Sequence, residues 1–177
     1  MDKRRIRRLA LAGMLTAVMF IIGYVESLLP AFFAVPGIKP GFANIPVMTA
    51  IFLLDWKLAA AMSFVRILLS GFTFTGMFAC IYSLSGALLS ITIMVLLKKT
   101  GKFSVTGISM AGGVAHNLGQ IIVACIAVGK AVLYYFPALV ISGLAAGAVT
   151  GLVTGILIRI LPSAVGTKGQ KNIDFHE

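Results

Sequence analysis

From Met77 to Leu97 the chain runs without one charged side chain, and then meets Lys98 and Lys99. A run of that kind narrows the possible folds sharply. A helix needs about 20 mostly apolar residues to cross a bilayer core of about 30 Å. Five more apolar stretches follow the same plan, over 8–29, 43–54, 58–72, 103–128 and 133–158. The chain has 177 residues, 59% of them hydrophobic and 11% charged, with a mean hydropathy of +1.04. No soluble domain of this size can hide so much apolar side chain. The expected fold is an all-α integral membrane protein, with one six-helix transmembrane domain over 1–160. Residues 161–177, polar and rich in Gly and Lys, read as a disordered cytoplasmic tail. The basic start followed by Leu9 to Val25 could pass for a signal peptide. Its apolar run is too long and no small-x-small site precedes Glu26, so it reads as a retained first span.

The second stretch is short for a crossing. It either crosses with little tilt or forms a partial helix with the preceding loop folded beside it. Charge supports the crossing. With six spans, one side collects Lys3, Arg4, Arg5, Arg7, Arg8, Lys57, Lys98, Lys99, Lys102, Arg159, Lys168 and Lys171, and the other only Lys39 and Lys130. That asymmetry predicts both termini inside, and it places the loop after the first span outside. It also accounts for the net charge of +10 without nucleic acid, since the cations sit at segment ends and not in aromatic-interleaved stripes. Asp55-Trp56-Lys57 reads as an interfacial turn with its indole at headgroup level. Cys80 and Cys125 lie inside apolar segments and read as small buried hydrophobes.

The outer loop carries Val35-Pro36-Gly37-Ile38-Lys39-Pro40-Gly41-Phe42-Ala43-Asn44-Ile45-Pro46. Three prolines bar a regular helix through it, and Gly37 and Gly41 permit tight turns or close approach of a ligand. It is either a recognition loop, with Lys39 and Asn44 as its polar groups, or a connector. Ionisable groups inside a bilayer are costly and usually face protein or a water-filled cavity. Glu26, Arg66 and His116 are such groups, and the topology lets them converge with Lys39 on one outward cavity. His116 and Gln120 share a helix face with Asn117 beside them. Together they offer donors and acceptors to a polar ligand, or a network gluing helices together. Glu26 and Arg66 bind ligand or pair with each other; at a helix end Glu26 could also simply be solvated. In the first span Ala10, Gly13 and Ala17 make a smooth strip a neighbouring helix could approach, or are ordinary small-residue content. Glycines at 143, 147, 151 and 155 form a second groove at four-residue spacing.

Several chemistries are absent from the sequence. There is no GxxxxGK[ST] phosphate loop and no evident Ser/His/Asp set. His116 and His176 are too far apart in sequence and environment to suggest a metal site. The acids are Asp2, Glu26, Asp55, Asp174 and Glu177 alone, too few for the aspartate-rich magnesium motif of prenyl transfer. The chain is expected to be no enzyme and to carry no cofactor and no metal.

Pro36 to Asn44, Tyr82-Ser83-Leu84-Ser85-Gly86 and Gly112 to Gln120 together resemble the Gx transporter family, whose members are often labelled heptaprenyl diphosphate synthase component I. That family is similar to the substrate-binding S components of energy-coupling factor transporters. The resemblance spans about residues 8–160. It implies a six-helix S-component-like bundle in a bacterial cell membrane. A small-molecule substrate would be held near the outer face under the first loop. Ala10, Gly13 and Ala17 would dock a transmembrane coupling subunit driven by two ATPase subunits. Substrate binding would fall to Glu26, Gly37, Lys39, Gly41, Asn44, Arg66, His116, Asn117 and Gln120. The substrate would be polar-headed or anionic, vitamin- or isoprenoid-related. Relatives also look like a membrane protein found with flavin- and quinone-linked extracellular electron transfer. That gives the alternative of an accessory or assembly subunit in isoprenoid-quinone metabolism or electron transfer.

Overall fold

A computed structural model describes residues 3–28 and 41–161. The outer-loop residues Gly37 and Lys39, and the tail from 162 onward, lie outside the described residues. Six α-helices follow in order: α1 (Lys3–Leu28), α2 (Ile45–Leu53), α3 (Trp56–Ser70), α4 (Met77–Thr100), α5 (Val105–Val128) and α6 (Phe136–Ile160). A 3-10 turn, Phe42–Asn44, leads into α2, a π-helical turn, Gly71–Thr75, extends α3, and a second 3-10 turn, Lys130–Tyr135, precedes α6. Every apolar stretch of the sequence is therefore a helix, and no strand occurs among the described residues. Five of the helical segments are long and apolar enough to cross a bilayer, and Phe42–Leu53 is shorter. The chain is a multi-pass membrane protein.

The short helix is the most enclosed element. Pro46, Val47, Met48, Thr49, Ala50, Ile51 and Phe52 are all buried, so α2 is apolar all round and packed on every side. It touches α1, α3 and α6, and its Val47, Met48 and Ile51 join Ala12, Met19, Met62 and Met94 in one cluster. In lipid, burial of this kind gains little by transfer, because hydrocarbon tails are as apolar as the core. Packing and hydrogen bonds must hold α2 in place.

Its ends show how. The Glu26 carboxylate accepts the Phe42 backbone N–H at 2.6 Å, where the helical segment starts. At the other end Arg8 donates to the Leu54 carbonyl at 2.9 Å, and Lys98 donates to the Ile51 carbonyl at 2.6 Å. A helix has unpaired N–H groups and partial positive charge at its start, and unpaired carbonyls and partial negative charge at its finish. Here each end meets a side chain of the opposite sign from another helix. Asp55 links the arrangement to α3. It accepts from Arg8 at 3.0 Å, and it caps α3 by accepting from the Leu58 N–H at 2.9 Å. Arg8 and Lys98 thus mark one basic end of the bundle, which Lys57, Lys99, Lys102 and Arg159 share by helix order.

Helices α4, α5 and α6 form the tightest layer. The glycine series of α6 packs inward on α5. A Cβ on Gly143 would lie 2.9 Å from the Gly113 carbonyl oxygen, one on Gly147 2.6 Å from the Met110 Cα, and one on Gly151 2.6 Å from the Thr106 Cα. The groove expected at 143, 147, 151 and 155 is therefore filled by α5 at its first three positions, while nothing lies within 4 Å of Gly155. Cys80 is buried and Cys125 half-buried, both as free thiols.

Two expectations follow for stability in detergent, read from SDS or thermal unfolding curves. Gly113→Ala, whose Cβ would overlap the Gly143 carbonyl, lowers stability by about 1–3 kcal/mol, the usual cost of overpacking. Gly155→Ala leaves it unchanged or slightly raised. Lys98→Met uncaps α2 and costs about 1–2 kcal/mol, as for a partly exposed charged hydrogen bond, whereas Lys102→Met costs almost nothing.

Candidate functional site

At the middle of the bundle five helices leave a cavity of about 40 Å³, in which polar groups are set among apolar walls from Val47, Ala87, Ile91 and Ala146. One face of α5 supplies Ser109, Gly112, Gly113 and His116, residues that recur at the three- and four-residue spacing of a helix face. Ser90 and Met94 of α4, Ser63 of α3 and Thr150 of α6 close the sides, and Gly41, Asn44 and Met48 close the α2 side. Ser63, Ser90, Ser109 and Thr150 are all buried. Buried hydroxyls need partners, and a space of this size admits a few water-sized groups. It is far below the several hundred Å³ of a cavity that swallows a whole small molecule.

His116 stands at the midpoint of α5. It fits because Gly86 faces it from α4: a Cβ there would come within 2.9 Å of the His116 Cε1 and 3.0 Å of its Nδ1. A side chain at 86 would push the imidazole out of place. Gly41 is left-handed, with φ +77°, which favours glycine at the cavity margin.

Arg66 lies one turn beyond Ser63 on α3 and reaches toward α1. A Cβ on Gly23 would sit 3.5 Å from its Nη1. It is within electrostatic range of both Glu26 and His116. Its Nε is buried without a hydrogen-bond partner among the described residues. Glu26 is itself only 7% exposed and spends one oxygen on Phe42. The result is a charged group, Glu26 and Arg66, within electrostatic range of the His116 that lines the cavity, while neither residue lines it.

The structure thus brings together a subset of the expected residues. Gly41, Asn44 and His116 line the cavity; Glu26 and Arg66 do not, though Arg66 is within electrostatic range of His116. Gly37 and Lys39 lie outside the described residues. Asn117 turns away, donating to the Leu139 carbonyl at 2.6 Å and to the Ser142 hydroxyl at 3.3 Å on α6, so it ties two helices together. Gln120, a turn further on, does not line the cavity. Ser85 plays the same linking part between α4 and α5, donating to the Gly119 carbonyl at 2.9 Å. The four buried hydroxyls were missed in the sequence reading. Ser109 carried a usable signal, since it lies seven residues before His116 on the same face. Ser63, Ser90 and Thr150 come from other helices, and no local pattern links them. On α1, Ala10, Gly13 and Ala17 are exposed on the outer surface, and nothing lies within 4 Å of a Cβ at Gly13.

Chemically the cavity offers hydroxyls, an amide and an imidazole, with no carboxylate or thiol among its described lining residues. This is equipment for binding a polar group. The pairing of Glu26 with Arg66 can be measured. Arg66→Met alone is expected to cost about 1–3 kcal/mol, because it takes an opposite charge away from a buried carboxylate that keeps its Phe42 hydrogen bond. The double variant Glu26→Gln/Arg66→Met is expected to cost less than Arg66→Met, giving a coupling of about 1 kcal/mol or more in a double-mutant cycle. Strict additivity would show that the two do not interact.

No curated protein and no solved structure matches the chain. The family described as Heptaprenyl diphosphate synthase component I matches residues 15–157. That match takes in everything from the middle of α1 to the last turn of α6, and the chain belongs to this family.

Proposed function

We propose that the chain is a non-enzymatic substrate-binding membrane subunit of an uptake transporter, of the kind found as S components in energy-coupling factor systems. It captures a small polar-headed or anionic molecule, vitamin- or isoprenoid-related, from outside a bacterial cell. The observation that carries this reading is the group at mid-bundle. A cavity lined by four buried hydroxyls and His116 lies within electrostatic range of Arg66, whose buried Nε has no hydrogen-bond partner among the described residues. Buried donors without partners are rare in finished structures, and an anionic or carbonyl oxygen would satisfy this one. With the basic end in the cytoplasm, as the positive-inside rule favours, Glu26 and the loop after α1 face outward.

The cavity's size sets the scale of what it holds. It takes the head of a ligand, and a larger molecule requires a wall to yield. The seam between α3 and α4 is where a wall can yield, because α3 packs far less on α4 than α4 does on α5. The exposed strip of Ala10, Gly13 and Ala17 is a surface for a coupling helix. Its three residues are exposed, and no described residue lies within 4 Å of a Cβ at Gly13.

Native mass spectrometry of protein extracted in mild detergent tests the binding. A small molecule is expected to stay with the wild type, and Arg66→Ala or Asn44→Ala to weaken retention about tenfold or more, an effect of at least about 1.4 kcal/mol. Gln120→Ala is expected to bind normally. No ligand from any extract, or retention unmoved by both substitutions, would sink the reading. The accessory-subunit alternative draws on one observation: the family description calls its members a component, which implies an assembly. Gly13→Leu separates the two. It has room within the fold, and it should abolish recovery of coupling and ATPase subunits. Recovery instead with a redox or prenyl-transfer protein favours the accessory role.

A further inference from the structure

Helices α3 and α4 diverge and leave a groove of about 570 Å³ on the outside of the bundle. Short side chains at Ala60, Ala61 and Ala87 open it, and Phe64, Leu88 and Val95 give it hydrocarbon walls. Water finds few of the polar partners there that it needs to stay. Along α4 the lining runs from Leu84 to Lys99, about 22 Å at a rise of 1.5 Å per residue. A bilayer core is about 30 Å thick, so the groove follows the hydrocarbon through at least one leaflet.

Its basic end is different. Trp56 and Lys99 line it there, both exposed, and the neighbouring Lys57 ammonium lies 5.8 Å from the Trp56 ring centroid. Indoles settle at headgroup level, and lysines at that level attract anionic lipid. An apolar slot that begins beside two cations at the interface has the shape and charge of one lipid molecule. The geometry points to a seated lipid: one hydrocarbon chain lies in the α3–α4 groove, with an anionic phosphate headgroup against Lys99 and Lys57. This goes beyond the transport reading and does not depend on it: groove and cavity share Ser63, Ala87 and Ile91 as a common wall, but the lysines that select the headgroup, Lys57 and Lys99, do not line the cavity.

The chain has a single tryptophan, and it stands at the mouth of the groove, so it reports occupancy directly. Protein reconstituted in phosphatidylcholine vesicles is titrated with phosphatidylglycerol brominated along its acyl chain, or with phosphatidylcholine brominated in the same way. Trp56 fluorescence is expected to be half-quenched at about a fivefold lower mole fraction of the anionic lipid, the effect of one or two interfacial lysines. Lys57→Gln/Lys99→Gln should remove that preference. Both lysines are exposed, so the variant keeps the fold, as its helical circular dichroism will show. Ala61→Phe fills the groove without altering charge, and should reduce the preference with the lysines intact. Equal quenching by the two lipids overturns the proposal. So does a preference that survives the double lysine substitution, which would reflect only the general positive charge of that end. A Trp56 shielded from every lipid overturns it too, since a protein helix would then fill the groove.

Discussion

A bilayer interior leaves no backbone N–H or carbonyl unpaired without large cost, and this chain places a helix too short to reach both water layers at its centre. Helix α2 starts beside Glu26 and finishes at Leu54, just before the Asp55-Trp56-Lys57 turn. Its open N–H groups and carbonyls must be answered by side chains, and the signs of those side chains follow from the helix dipole. Glu26 answers one end, and Arg8 and Lys98 answer the other. The rest of the architecture follows from this. Arg8 also engages Asp55, which starts α3, and α4 must lie close enough for Lys98 to reach Ile51. The tight α4–α5–α6 layer then has a fixed wall to pack beside. Four of the chain's ionisable residues are accounted for as structure before any ligand is considered.

That accounting changes how Glu26 is read. In the sequence it is an isolated acid near the end of an apolar run, a reasonable candidate for substrate binding. In the fold one of its oxygens is committed to Phe42, and its charge faces Arg66. In the proposed binding role, it would act on a ligand by way of Arg66. Asn117 shifts in a similar way, because its amide holds α6. His116 keeps its place in the cavity.

The helices were legible in the sequence because apolar length and flanking cations are strictly local signals. All six emerged within a few residues of their ends. What was not legible is which faces meet. The period of Gly143, Gly147 and Gly151 announced a close neighbour, but not that the neighbour is α5 of the same chain. Asn117 and His116 are adjacent on one helix, and about 100° of rotation separates a strut from a cavity wall. Only the neighbours' positions decide which is which. The hydroxyl ring of Ser63, Ser90, Ser109 and Thr150 draws on four helices, so a one-dimensional motif could not reveal it. The shortness of the second apolar stretch was visible, but its central position was not. The family description adds the expectation of an assembly.

Arg8 and Glu26 belong to the same helix, and α1 therefore works as a caliper. Its two jaws are set about 27 Å apart along the axis by 18 residues at 1.5 Å each, and they close on the two ends of the segment from Phe42 to Leu54. Such a device is tolerant of composition and intolerant of length. Apolar residues between the jaws can be exchanged for others of similar bulk, but inserting or deleting one residue turns one jaw by about 100° and leaves an end of α2 open. The spacing of residues in α1, more than their identity, is what the centre of this protein depends on.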